Sequence, residues 1–140
     1  LYHVDLNPMN ILHRTEWGRP VVRIVDFESS FDPKRHGAGV FCDPPTTPGY
    51  SAPELASATP DARADVFSLG AVIYTLLAGF GWTWTGEVWS CLEADTELDA
   101  ALRPVLARAV APHPSDRHPS MAAFRDALAR YLDDAWFKSW

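Results

Sequence analysis

Asp61-Ala62-Arg63-Ala64-Asp65-Val66-Phe67-Ser68-Leu69-Gly70-Ala71-Val72-Ile73-Tyr74-Thr75-Leu76-Leu77-Ala78-Gly79 is the stretch on which the fold turns. It reads as a helix over Asp61 to Ala78, with Gly79 as the C-cap that tolerates a left-handed backbone. No charged residue occurs from Val66 to Gly86, so a membrane span has to be weighed. Ser68, Thr75, Thr83, Thr85 and four glycines interrupt that run, and its compact apolar part ends near Gly79. A central helix buried in protein accounts for it better.

The flanks agree. Upstream, residues 27–52 carry Pro33, Gly37, Gly39, Pro44, Pro45, Pro48 and Gly49 with few apolar runs, which predicts a long functional loop. Before it, Asn10 to His13 and Pro20 to Val25 read as short strands joined by a turn at Glu16-Trp17-Gly18-Arg19. A short helix is expected near Pro53 to Ser57. Downstream, Gly86 to Leu92 reads as another, in a connection where Trp82, Trp84 and Trp89 are expected to pack in core or groove. Leu98, Leu102, Val105, Leu106 and Ala109 recur at helical spacing. So do Met121, Phe124, Leu128, Tyr131 and Leu132, with Ser115 or Ser120 as cap. A hairpin, a long loop and then only helices describe an α-rich lobe.

Composition narrows the function classes. The chain has 140 residues, 47% of them hydrophobic, which is enough for one core. Its net charge of −6, with Lys34 and Lys138 the only lysines, argues against nucleic acid and acidic membrane as partners. Cys42 and Cys91 fit neither a metal motif nor a disulfide framework, so a reducing cytoplasm is expected. The start at Leu1 reads as a piece of a longer protein or an incomplete gene call.

The chemistry lies near the start, at His3-Val4-Asp5-Leu6-Asn7-Pro8-Met9-Asn10 and at Asp26-Phe27-Glu28. Phosphoryl transfer needs a carboxylate to receive the acceptor hydroxyl's proton and oxygen ligands for Mg²⁺ on the nucleotide phosphates. Asp5 can serve as the first; Asn10 and Asp26 can serve as the second. The two strands return Asn10 and Asp26 to the same end, which gives their spacing a geometric meaning.

Five separated motifs resemble the C-terminal lobe of a eukaryotic-type, bacterial-looking serine/threonine protein kinase. His3-Val4-Asp5 with Asn10 resembles the HRDxxxxN catalytic loop, and Asp26-Phe27-Glu28 resembles DFG. Thr46 to Glu54 resembles the segment that closes the activation loop, Asp65 to Gly70 the start of the central helix, and Pro114 to Ser120 the family's late arginine motif. The resemblance implies a protein-kinase-like α+β fold, here a mainly helical lobe with a short β-hairpin. Residues 1–132 would be a partial kinase domain whose N-lobe is missing, and 133–140 a tail. It implies ATP and Mg²⁺ as cofactors, with a protein as substrate. By position, Asp5 would be the catalytic carboxylate, Thr47 would shape the acceptor pocket beside it, and Asn10 and Asp26 would ligate the metal. Glu54 and Arg117 would form a buried ion pair, Asp65 would bind backbone N–H groups of the catalytic loop, and His3 and Phe27 would pack. Without the N-lobe this chain by itself is expected to be inactive.

Departures qualify the picture. Val4 replaces the arginine that usually grips a loop phosphate, so activity independent of phosphorylation at Thr46, Ser29 or Ser30 is expected. Asn7 takes the place of a lysine that contacts the γ-phosphate, which predicts a slower enzyme. Glu28 replaces a glycine and restricts the loop. Two rivals follow: a pseudokinase that binds or scaffolds, and a small-molecule kinase of the aminoglycoside phosphotransferase or choline kinase type. The latter matches residues 1–28 as well, but Thr47 to Glu54 and Asp65 to Gly70 decide against it.

Overall fold

The structure is a computed structural model that describes residues 1–36, 47–79 and 87–138, with 134–138 described by backbone alone. Two strands, β1 (Ile11–Glu16) and β2 (Arg19–Ile24), are followed by five helices: α1 (Pro33–His36), α2 (Ala62–Ala78), α3 (Val88–Ala94), α4 (Arg103–Ala109) and α5 (Met121–Lys138). Short 3-10 turns at Pro8–Asn10, Pro53–Ala56 and Pro114–Asp116 link them. The result is a hairpin set against an α-helical lobe, as expected.

The hairpin is antiparallel, with Ile11 opposite Ile24 and Glu16 opposite Arg19. Trp17 (φ 53°) and Gly18 (φ 74°) close it, both in the positive-φ conformation that a two-residue turn needs to match the strand twist. The strands extend further toward this turn than Asn10 to His13 and Pro20 to Val25 suggested, because β1 pairs as far as Glu16.

Helix α2 is the centre of the lobe. The Asp61 carboxylate accepts from the Arg63 N–H at 2.7 Å to cap its start, and Gly79 ends it at φ 68° with its N–H bonded to the Thr75 carbonyl. Its hydroxyls are satisfied internally: Ser68 Oγ donates to the Ala64 carbonyl at 3.1 Å and Thr75 Oγ1 to the Ala71 carbonyl at 2.8 Å. That is how a run dotted with Ser and Thr can be buried at little cost. Val66, Phe67, Ala71 and Val72 then share one core with Val88, Leu92, Leu106, Val110 and Phe124.

Gly70 lets α4 approach. A Cβ at that position would lie 2.7 Å from the Ala109 Cβ and 3.1 Å from Val110 Cγ1. Gly70→Ala should therefore overpack the α2–α4 contact and cost about 1–3 kcal/mol. Urea unfolding of the two proteins measures it; an unchanged or raised midpoint would contradict the close approach.

Several expectations change. Helical spacing from Leu98 onward predicted a longer helix, but α4 begins only at Arg103. The Asp95 Oδ1 accepts from the N–H groups of Glu97 and Leu98, and the Asp99 Oδ1 from those of Ala101 and Leu102, holding the approach as turns. The helix expected at Gly86 to Leu92 occupies Val88–Ala94. At the far end α5 continues to Lys138. Its cap is Ser120, whose Oγ accepts from the Ala123 N–H at 3.1 Å. Trp89 meets Phe67 edge-on at 6.1 Å as expected, whereas Trp17 is fully exposed at the hairpin tip; Trp82, Trp84 and Cys42 lie outside the described residues. Among the described residues no helix is long and apolar enough to cross a membrane.

Candidate active site

Residues 3–10 form a loop whose shape is imposed from below by α2. The Asp65 carboxylate accepts from the His3 N–H through Oδ2 and from the Val4 N–H through Oδ1, both at 2.8 Å. Burial pushes the Asp65 carboxyl above the ordinary range, and those two N–H bonds oppose that rise. Val4 is fully buried with φ 58°, a conformation that a β-branched residue adopts only under constraint. The paired bonds to Asp65 supply the constraint. His3 Nε2 contacts the Val25 carbonyl at 2.9 Å, and its ring lies 4.7 Å from that of Phe27. The loop is thereby tied to the strand exit just before Asp26. Phe27 touches the loop as expected but remains 48% exposed.

Asp5 sits where four side chains meet. Thr47 Oγ1 donates to Asp5 Oδ1 at 2.7 Å, across forty-two residues of chain. Asn7 is buried and turned inward: its Nδ2 donates to the Asp5 carbonyl (3.1 Å) and Oδ1 (3.3 Å) and reaches Thr47 Oγ1 at 3.5 Å. Its Oδ1 accepts from the Met9 N–H at 2.9 Å, capping the first 3-10 turn. Asn10 Nδ2 donates to the Asp5 carbonyl at 2.9 Å and reaches Asp5 Oδ2 at 3.4 Å. Three donors thus hold one carboxylate in a fixed orientation, which a group that must meet an incoming hydroxyl requires.

The ladder continues past β2 and sets Asp26 one residue beyond the partner of Asn10. The Val25 N–H donates to the Asn10 carbonyl at 2.9 Å, next to the Ile11–Ile24 pair. With Nδ2 committed to Asp5, the Asn10 amide has its Oδ1 left to bind a ligand. Asp26 is exposed, with φ 63°. An amide oxygen and one carboxylate make a hard, oxygen-only donor set, and Mg²⁺ characteristically combines such a pair with phosphate oxygens and water. Among the described residues no group of three or more His, Cys, Asp or Glu is arranged to hold a metal by itself. The site therefore fits a metal that arrives with a phosphate ligand.

The segment that delivers Thr47 is fixed from the opposite side. The Thr47 N–H donates to Ser51 Oγ at 2.7 Å, and Gly49 turns the chain at φ 82°. Glu54 then meets Arg117 in a two-pronged pair, Nη1 to Oε1 at 2.7 Å and Nη2 to Oε2 at 2.8 Å. The remaining donors reach the carbonyls of Ala111 (2.7 Å), Arg63 (3.0 Å) and Pro112 (3.0 Å), so all five N–H groups are used. The Phe67 ring lies 4.8 Å under the guanidinium.

The structure brings Asp5, Asn7, Thr47 and Asn10 into contact, and Asp26 follows the Val25 N–H that bonds the Asn10 carbonyl. His3, Asp65, Glu54 and Arg117 sit in the surrounding supports. The sequence reading missed the Phe67 ring and the carbonyls of Arg63, Ala111 and Pro112 around Arg117. Backbone acceptors leave no trace in residue type, and Phe67 was placed in the central-helix motif with no contact to Arg117 foreseen.

Comparison with known proteins gives a consistent result. The protein kinase domain family matches residues 1–124. The serine/threonine-protein kinase Pkn1 of Myxococcus xanthus is 34% identical across 91% of this chain and 21% of its own length. Ribosomal protein S6 kinase alpha-2 of Homo sapiens is 42% identical over 56% of this chain and 11% of its own. The crystal structure of the Mycobacterium tuberculosis PknI kinase domain superposes with a TM-score of 0.61 at 29% identity, covering 91% of this chain and 46% of that one. The chain thus spans only 21% and 11% of these two curated relatives.

Proposed function

This chain belongs to the protein kinase domain family, and from that premise we propose that the protein carrying it transfers the γ-phosphoryl group of Mg-ATP to serine and threonine hydroxyls of proteins. The observation that carries the reading is the contact of Thr47 Oγ1 with Asp5 Oδ1 at 2.7 Å. It joins the loop holding the catalytic carboxylate to the segment that would receive a polypeptide acceptor.

Asp5 orients the acceptor hydroxyl and takes its proton. Oδ1 takes the bonds from Thr47 and Asn7, so Oδ2, which has only the long 3.4 Å contact from Asn10 among the described residues, is the oxygen with room to face it. Asn10 and Asp26 would hold Mg²⁺, which would offset charge on the nucleotide phosphates. Asn7 contributes no cation; it positions Asp5 and Thr47 and caps the loop. Less charge is then offset at the transferring group, which supports a slower enzyme than one with lysine at this place. An N-lobe in cis would supply the rest of the nucleotide site, and a reducing, cytoplasmic setting fits Cys91, which is unpaired.

Acceptor class is the direct test. The whole protein, given Mg-ATP, should phosphorylate a general protein acceptor and leave aminoglycosides, choline and sugars unmodified. Small-molecule turnover without protein phosphorylation would overturn the reading, and no turnover of either would favour the pseudokinase.

Regulation is predicted from Val4. The fully buried valine gives a loop phosphate no guanidinium to bind. Thr46→Ala in the whole protein should retain activity within about twofold. A folded Thr46→Ala protein without activity would show that the loop is switched by phosphorylation after all.

A further inference from the structure

The β1–β2 turn carries a tryptophan that the described residues leave bare. Trp17 is 100% exposed and packs on nothing among the described residues, yet it occupies a positive-φ position where Asn, Asp or Gly is the easy choice. Two-residue turns are stiff, so the ring is presented on a rigid tip. The register puts Leu12, Arg14, Glu16, Arg19, Val21 and Arg23 on one face of the hairpin. Arg14 and Arg23 share Glu16, while Arg19 has no ion pair among the described residues. Three arginines against one glutamate make this face cationic in a chain of net charge −6.

Elsewhere on the same chain is a groove of complementary character. It lies between the C-terminal end of α2, α3, the turns at 95–99 and α5, and it measures about 700 Å³. Leu77, Leu98 and Tyr131 supply apolar walls, and Asp95, Glu97 and Asp99 the rim. Asp95 and Asp99 are engaged with backbone N–H groups, whereas the exposed Glu97 carboxylate has no ion pair among the described residues.

We propose that the Trp17 hairpin tip of one copy docks into the acidic-rimmed groove of a second copy, with Arg19 set against Glu97. The occupant follows from charge and shape together: an exposed ring flanked by arginines meets an apolar slot flanked by carboxylates. The two surfaces differ, so the contact is head-to-tail and leaves a free tip and a free groove at its ends. A hairpin tip covers little area, which makes the association weak and salt-sensitive.

Complementation tests it with the whole protein in sedimentation velocity. The unaltered protein should associate with rising concentration, and should do so less at about 0.5 M than at about 0.05 M salt. Trp17→Ser, which lacks the knob, and Glu97→Arg, which lacks the rim charge, should each stay monomeric. Mixed, they should form a 1:1 dimer and nothing larger, because each retains the half the other has lost. Adhesion through unrelated apolar surface cannot produce that pattern. A monomeric unaltered protein at every concentration, single variants that associate like it, or a mixture that stays monomeric would each overturn the proposal.

Discussion

Arg117→Ala is expected to cost about 3–5 kcal/mol, because it strips the partner from a carboxylate held inside the lobe. The Arg117 side chain has no exposed surface, and Glu54 keeps only 14%. Removing the guanidinium leaves Glu54 without this partner, takes a donor from three carbonyls and uncovers the Phe67 ring. Against a typical domain stability of about 5–15 kcal/mol that loss is severe. Arg117→Lys should recover little of it, since one ammonium cannot reproduce a planar fork that serves Glu54 and three carbonyls at once. Urea unfolding followed by circular dichroism gives the number. A change below about 1 kcal/mol for the alanine variant would mean that the pair does not hold the segment from Thr47 to Glu54.

Asp5→Asn should have the second large effect, on rate rather than stability. The substitution keeps the shape of the side chain, so the loop pinned by Asp65 should fold as before. An amide cannot take a proton from the acceptor hydroxyl, and removing a general base lowers turnover by about 10²–10⁴. The Thr47 hydroxyl, which now donates to Asp5 Oδ1, can still donate to the Asn oxygen, so the segment stays in place. Rate and fold therefore separate in this variant and fall together in Arg117→Ala.

Much of this was legible from residue types, for physical reasons. Helix α2 was readable because an uncharged run that stops at a glycine has few alternatives, and Gly79 adopts the left-handed cap conformation expected of it. Asn10 and Asp26 could be placed together because a hairpin returns the chain to its starting end. Asp65, Glu54 and Arg117 were named from motif order, and the structure puts them in contact with the groups expected.

What escaped depended on partners that a residue's own identity does not encode. Asn7 was read by position as a substitute for a phosphate-binding lysine, and only coordinates show its amide spent on Asp5 and Met9. The start of α4 was misplaced because Leu98 and Leu102 keep helical spacing while Asp95 and Asp99 bind the local N–H groups. Trp17 was placed in the turn, but its full exposure could not be read from an apolar residue type; the two-residue turn lifts it clear of the core.

The most direct measurement is phosphoamino-acid analysis of a protein acceptor after incubation with radiolabelled Mg-ATP and the whole protein, with Asp5→Asn run in parallel and its fold checked by circular dichroism. The account predicts phosphoserine or phosphothreonine from the unaltered protein and at least about a hundredfold less from the variant. Equal incorporation by a folded Asp5→Asn protein would contradict it.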